Sequence, residues 1–168
     1  MLTFNTATLT DAPAIAAIHT LNWQQNYRGA FSDEYLDHQA APERLKVWTG
    51  RLQQSADHQH IITVKENDKL IGFSCLMGND DPIYGTLLDN LHVGAGQKGR
   101  GLGRQLLERS LDWSFKNYPQ QPMYLWVLTQ NEKGIRFYER LGGKRVEQAI
   151  HHSPLGKEVT VYRYVWYS

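Results

Sequence analysis

Apolar and polar positions along this chain follow two rhythms, a period of two and a period of three to four, and their order sketches the fold. Leu2 to Thr8 alternates and predicts a first strand. Thr10-Asp11-Ala12-Pro13 opens a helix, with a capping residue and a proline in the first turn. Its apolar face carries Ile15, Ile18 and Leu21, followed by Trp23 and Tyr27 before a turn at Gly29. Ser32 to Leu36 predicts a short helix and Pro42 to Leu52 another, with Leu45, Trp48 and Leu52 on one face. His60 to Glu66 and Lys69 to Met77 are strands joined at Asn67-Asp68, a tight hairpin turn. Gly78 to Pro82 is expected as a loop.

Thr86 to Val93 is the next strand, and it runs into glycines at 94, 96, 99, 101 and 103. A helix follows, with Leu102, Leu106, Leu107, Leu111 and Phe115 on one face. Met123 to Leu128 is apolar throughout, as expected of a strand covered on both faces. Asn131 begins a helix through Leu141, which Gly142 ends at a position suited to a left-handed cap. Lys144 to Gln148 and Val159 to Tyr167 are expected as strands around a loop containing His151-His152-Ser153-Pro154. The order predicts one α/β domain over residues 1–168, a mixed sheet with an antiparallel first half.

The segment Leu87–Tyr118 carries the clearest chemistry. A strand, a glycine loop and a helix start together make an anion site, because first-turn amides lack partners and the helix dipole adds positive charge. Lys98, Arg100 and Arg104 surround it with cations. The phosphate loop of nucleotide triphosphatases needs Lys and Ser/Thr where Arg100 and Gly101 stand. The dinucleotide fingerprint needs a third glycine where Arg104 stands. Neither fits, which weakens a nucleotide-binding reading.

Composition narrows the classes. The 168 residues have a net charge of +1, so nothing argues for nucleic acid or a membrane surface as partner. No apolar run reaches a membrane span, and the N-terminus is not patterned as a signal peptide. Cys75 is the single cysteine, which fits a reducing cytoplasm. In a mid-strand apolar run it is read as a core thiol and not a reactive one. The seven histidines show no metal-ligand spacing, so no metal is expected.

Lys98-Gly99-Arg100-Gly101-Leu102-Gly103 matches the pattern Q/R-x-x-G-x-G/A, with Lys98 in the first place. Asn131 to Gly142 matches N-x-x-A-x-x-F-Y-x-x-x-G at Asn131, Phe137, Tyr138 and Gly142, with Gly134 in place of Ala and Gly143 where Phe is usual. With one helix and one strand between them, these motifs resemble those of the GCN5-related N-acetyltransferases over nearly the whole chain. WQQNYRGAFSDEYL also resembles the acceptor-side helices of many bacterial members.

The resemblance implies a central, mostly antiparallel twisted sheet of about seven strands flanked by about four helices. It implies acetyl-CoA as co-substrate and a primary amine, on a small molecule or a peptide N-terminus, as acceptor, with direct transfer in a ternary complex. By the same resemblance, Leu91, His92 and Val93 would pair with the pantetheine arm. The segment Gly99, Arg100, Gly101, Leu102, Gly103 and Arg104 would wrap the pyrophosphate after Lys98, and Asn131 would bond the pantetheine region. Tyr138 matches the family's proton donor to sulfur. Asp89 is the candidate general base, its place among Leu87, Leu88 and Leu91 suiting it to take a proton. His92 is the rival, and water a third option. In strict alternation Asp89 and His92 face opposite ways, unless a bulge intervenes. Trp23, Tyr27, Tyr35, Tyr84 and Trp126 are candidate walls of the acceptor pocket, and Trp126 or its neighbours occupy the region where some relatives put a Glu as general base. An acyl-CoA sensor without turnover is the alternative from another class. The aromatic last strand is free to pair at a sheet edge or in a homodimer.

Overall fold

The structure, a computed structural model, describes residues 1–168. Seven strands form one sheet in the order β1-β2-β3-β4-β5-β7-β6. They are β1 Leu2–Thr6, β2 Gln59–Glu66, β3 Lys69–Asp81, β4 Gly85–Val93, β5 Met123–Leu128, β6 Lys144–His152 and β7 Glu158–Trp166. The helices are α1 Ala12–Asn26, α2 Ala40–Gln53, α3 Leu102–Asn117 and α4 Glu132–Arg140. Every neighbouring pair of strands is antiparallel except β4 and β5. The aromatic last strand, β7, expected to be free for edge pairing, is instead held between β5 and β6, leaving β1 and β6 as the edges.

Two-fold alternation decides which helices cover which face. Ile62, Val64, Ile71 and Leu76 point to one side and pack with Leu102, Leu106 and Leu107 of α3. Ile61, Leu70, Phe73 and Cys75 point to the other and pack with Ile15 and Ala16 of α1 and Trp48 of α2. The three α3 leucines are buried, and burial of each contributes roughly 2 kcal/mol. α4 lies on the α3 side, where Ile135, Phe137 and Leu141 pack against the same core. No helix is long and apolar enough to cross a membrane.

Several boundaries differ from those expected. β3 continues through the segment expected as a loop and ends at Asp81, past a register shift beyond Met77. Gly78 donates to the His58 carbonyl at 2.7 Å, and the ring of Tyr118 occupies the place a side chain at 78 would take. The two helices expected between 32 and 52 are joined by a π turn, Tyr35–Gln39, that runs directly into α2. β6 extends to His152, so His151 and His152 belong to a strand end. Gly142 does adopt a left-handed conformation, φ 90°, after α4. The absent side chain at Gly143 leaves room for the indole of Trp166, 2.7 Å from the position of a Cβ.

Candidate active site

β4 and β5 pair only at Thr86–Met123 and Leu87–Tyr124. Beyond that point they separate, and the sheet opens into a cleft walled by Leu88–His92 on one side and Leu125–Val127 on the other. The strand β4 bulges where the cleft begins. Cys75 opposes Asn90 and Leu76 opposes Leu88, so Asp89 is the extra residue. A bulge resets side-chain parity. Asp89 and His92 therefore both line the same cavity of about 530 Å³, where strict alternation would have separated them.

A second cavity of about 630 Å³ lies over the glycine loop and shares Lys98, Gly103 and Phe137 with the first. Its floor is Gly99, Gly101, Leu102, Gly103 and Arg104, with Val93 at the strand end. Gly99 and Gly101 have φ of 80° and 72°, conformations that a side chain would strain. The amides of Gly99, Gly101, Leu102, Gly103 and Arg104 donate to no protein acceptor. Five free donors, a helix start and the Lys98 and Arg104 side chains suit a polyanion. Arg100 contributes differently from the expectation. Its guanidinium is bonded to Glu66 at 2.7 and 3.0 Å and lines neither cavity, so its cation is spent on β2. Arg104 is paired with Glu108 one turn on, at 2.7 Å, while remaining at the cavity edge.

α4 supplies the facing wall. Asn131 caps it, accepting from the Gly134 amide at 3.0 Å. A Cβ at Gly134 would lie 2.6 Å from the Asn131 Nδ2, so glycine lets the capping amide fold over the helix start. With Oδ1 engaged, the Nδ2 donor is left for the cavity that Asn131 lines. Two turns along, Tyr138 lines the same cavity, and burial pushes its phenol well above the usual tyrosine range. Tyr27 enters from the end of α1, its phenol pushed up to about 12 by burial and by the Asp89 carboxylate. Tyr27 in turn helps to raise Tyr138. The hydroxyl of Tyr27 thus lies within electrostatic reach of both catalytic candidates.

Asp89 departs from the desolvated carboxylate expected among leucines. Its side chain is 31% exposed at the bulge and ion-paired to Arg51 at 2.8 Å. His92 is the more sequestered group, and loss of water lowers it to about 4, so the imidazole is neutral near pH 7. It stacks on His19, with ring centroids 4.7 Å apart. Burial, then His92, Arg44 and Arg51, depress His19 further. The Trp48 indole donates to His19 Nδ1 at 3.0 Å, which puts the imidazole proton on Nε2.

His19, Asn22, Arg44, Arg51 and Lys133 line the cavity and were not singled out from sequence. Asn22 donates to the Val93 carbonyl at 3.2 Å, tying α1 to the end of β4. A signal existed: His19, Asn22, Trp23 and Asn26 fall on one stripe of α1, and Arg44, Trp48 and Arg51 on one stripe of α2. Of the five rings expected as walls, Trp23, Tyr27 and Trp126 line the cleft. Tyr35 is buried and donates to Glu43 at 3.0 Å. Tyr84 packs over the Arg163 guanidinium at 3.8 Å, away from the cleft. Cys75 is fully buried, its thiol pushed up to about 12, as a core thiol should be.

Residues 11–143 match the model of the acetyltransferase (GNAT) family. Protein ElaA of Escherichia coli K12 is 26% identical over 62% of this chain and 69% of its own. A spermidine N(1)-acetyltransferase of Vibrio cholerae is 24% identical over 74% of this chain and 70% of its own. In fold, the chain is similar to the PaiA N-acetyltransferase of Thermoplasma acidophilum, solved in complex with coenzyme A. The TM-score is 0.74 over 99% of both chains, at 17% identity.

Proposed function

The chain belongs to the GNAT acetyltransferase family, whose members are acetyl-CoA-dependent acyltransferases, and we propose that it transfers the acetyl group directly to a primary amine held in the same cleft. One observation carries the proposal: five unpartnered amides from Gly99 to Arg104 open onto a cavity continuous with the β4/β5 gap. Acetyl-CoA supplies an acetyl group activated as a thioester.

The donors at Gly99–Arg104, with the Lys98 ammonium, hold the diphosphate. The main chain of Leu91–Val93, which has no partner in β5, holds the pantetheine arm as a strand would, and the free Asn131 Nδ2 adds a donor beside it. An amide at His92 or Val93 polarises the carbonyl oxygen. Tyr138, protonated throughout the neutral range because of its raised affinity for the proton, gives a proton to the departing sulfur. Asp89, Tyr27 and an intervening water relay the proton lost by the amine. The aromatic walls exclude bulk water and fix the amine close to the carbonyl, and proximity supplies much of the rate. The similarity to a spermidine N(1)-acetyltransferase of Vibrio cholerae supports a small amine as the acceptor class.

Titration with coenzyme A and thiol release from acetyl-CoA over a panel of amines test the proposal together. Binding plus amine-dependent release is the expected outcome. Binding without release from any amine would leave a sensor, and absence of binding would remove the reading altogether.

A further inference from the structure

The acceptor end of the cleft has a charge pattern that the acetyl-transfer reading does not require. Arg44 and Arg51 line it, with Lys133 at the α4 side, against the single carboxylate of Asp89, which Arg51 already neutralises. The partner of Arg44, Glu43, does not line the cavity. Arg44 is 13% exposed, and its buried Nε has no acceptor. The Nε2 of His19, 1% exposed, has none either, and with the indole of Trp48 fixed on Nδ1 it is a donor. Two buried donors in one corner therefore lack an acceptor atom, a costly state that a bound acceptor group relieves.

The aromatic rings point the same way. An aromatic wall recognises a cation by offering its face. Here the Arg44 guanidinium covers the face of Trp23 at 4.6 Å, and Trp23 is a wall of the cavity. A second ammonium brought to this corner meets a guanidinium in place of an open ring. A carboxylate meets a planar fork of donors suited to it.

Resting on the acetyl-transfer reading, we propose that the acceptor is an amine that also bears a carboxylate. Its carboxylate is taken by Arg44, with His19 Nε2–H as an added donor, and its amine lies toward Asp89 and Tyr27. Polyamines are disfavoured acceptors.

The test is thiol release from acetyl-CoA with matched acceptors. 3-Aminopropanoate is set against 3-aminopropanamide and propylamine, leucine against leucinamide and 3-methylbutylamine, and spermidine serves as the polycation. The carboxylate members are expected to show kcat/KM at least about tenfold above their partners, a ratio typical of one charge-assisted hydrogen bond. The lower basicity of the amides favours them, so the comparison is biased against the proposal. Arg44→Gln is expected to lower kcat/KM for the carboxylate acceptor by roughly 10- to 100-fold, mostly through KM, and to collapse the ratio, with affinity for coenzyme A unchanged. Equal or better use of the amides or of spermidine overturns the inference and leaves acetyl transfer standing. So does a ratio that survives in a folded Arg44→Gln protein. Failure of every acceptor together with absent coenzyme A binding removes the underlying reading as well, and coenzyme A titration separates the two failures.

Discussion

The cavity around Gly99–Arg104 is made of main chain, and the cavity between α1, α2 and the β4 bulge is made of side chains. The first presents amides whose direction follows from two positive-φ glycines and a helix start. The second presents His19, Arg44, Arg51 and Asp89, drawn from three elements up to 70 residues apart in sequence. A main-chain site is encoded by a few consecutive residues and is read out locally. A side-chain site exists only once the sheet has put its helices in place. The difference predicts how each part fails: loop changes should affect coenzyme A affinity, and changes at the other end should affect turnover and acceptor choice.

Tyr138→Phe should break the comparison most visibly, because Tyr138 lines the side-chain cavity and serves the chemistry. Loss of a general acid typically lowers the rate by about 100-fold or more, so kcat should fall by that order with coenzyme A affinity within about twofold of wild type. An unaltered rate in a thiol-release assay would take Tyr138 out of the mechanism. Gly101→Val should do the reverse. It forces a β-branched residue to φ 72° at the start of α3, costing on the order of 1–3 kcal/mol of backbone strain. Coenzyme A affinity should drop roughly 10- to 100-fold as the amides turn. Isothermal titration at unchanged affinity would mean that the loop does not hold the cofactor.

The side-chain region is marked by buried imidazoles, and pH reaches it selectively. His92 is lowered to about 4 and His19 is lowered further. An imidazole that stays neutral in the fold but is protonated when unfolded stabilises the protein fully above about pH 6.5 and loses that contribution as pH falls. For His92 the window runs from about 6.5 down to about 4. The slope is about 1.4 kcal/mol per pH unit for each such histidine. Chemical denaturation between pH 6.5 and 4.5 should show this loss, and His92→Asn should make its slope shallower by up to about 1.4 kcal/mol per pH unit. The same slope in wild type and variant would place His92 in contact with water.

Asp89→Asn should lower kcat/KM by roughly tenfold, with coenzyme A affinity preserved. The variant keeps the shape at the bulge but removes the charge that Arg51 faces and Tyr27 senses. Because the freed Arg51 adds a cation to the acceptor corner, the loss should be smaller for a carboxylate-bearing amine than for a neutral one. Uniform loss across acceptors would make Asp89 a base without a part in selection.

Legibility in the sequence follows the same division. The strands, the longer helices, the hairpin at Asn67-Asp68 and the left-handed Gly142 all came from local pattern. So did the loop, because glycine spacing is a statement about main chain. The single sheet with four helices came instead from the family resemblance. The π turn at Tyr35–Gln39 and the passage of β3 through Gly78 were not legible in local pattern; Gly78 is bonded to the His58 carbonyl, a partner distant in sequence. The bulge at Asp89 was foreseeable only as a condition, because nothing in LLDNLHV says which residue is extra. His19, whose neighbours are Trp23, Trp48 and His92, looked like an ordinary helix residue until those rings surrounded it.

The smallest expected effect gives the sharpest comparison, because it sets two adjacent cations of the loop against each other. Lys98 and Arg100 read alike in sequence, both basic and both flanking Gly99. In the fold Lys98 lines both cavities, while the guanidinium of Arg100 is turned to Glu66. Lys98→Ala should weaken coenzyme A binding by several-fold, more at low salt than at high, since a solvated ammonium acts on a diphosphate through a screened field. Arg100→Ala should leave affinity within about twofold, because position 100 contributes its place in the loop and not its charge. Measured over a range of salt, the Lys98 variant should have a shallower dependence than wild type and the Arg100 variant the same one. If the two variants behave alike, charge around the loop matters more than its amides, and the division between a main-chain region and a side-chain region fails where it is most clearly drawn.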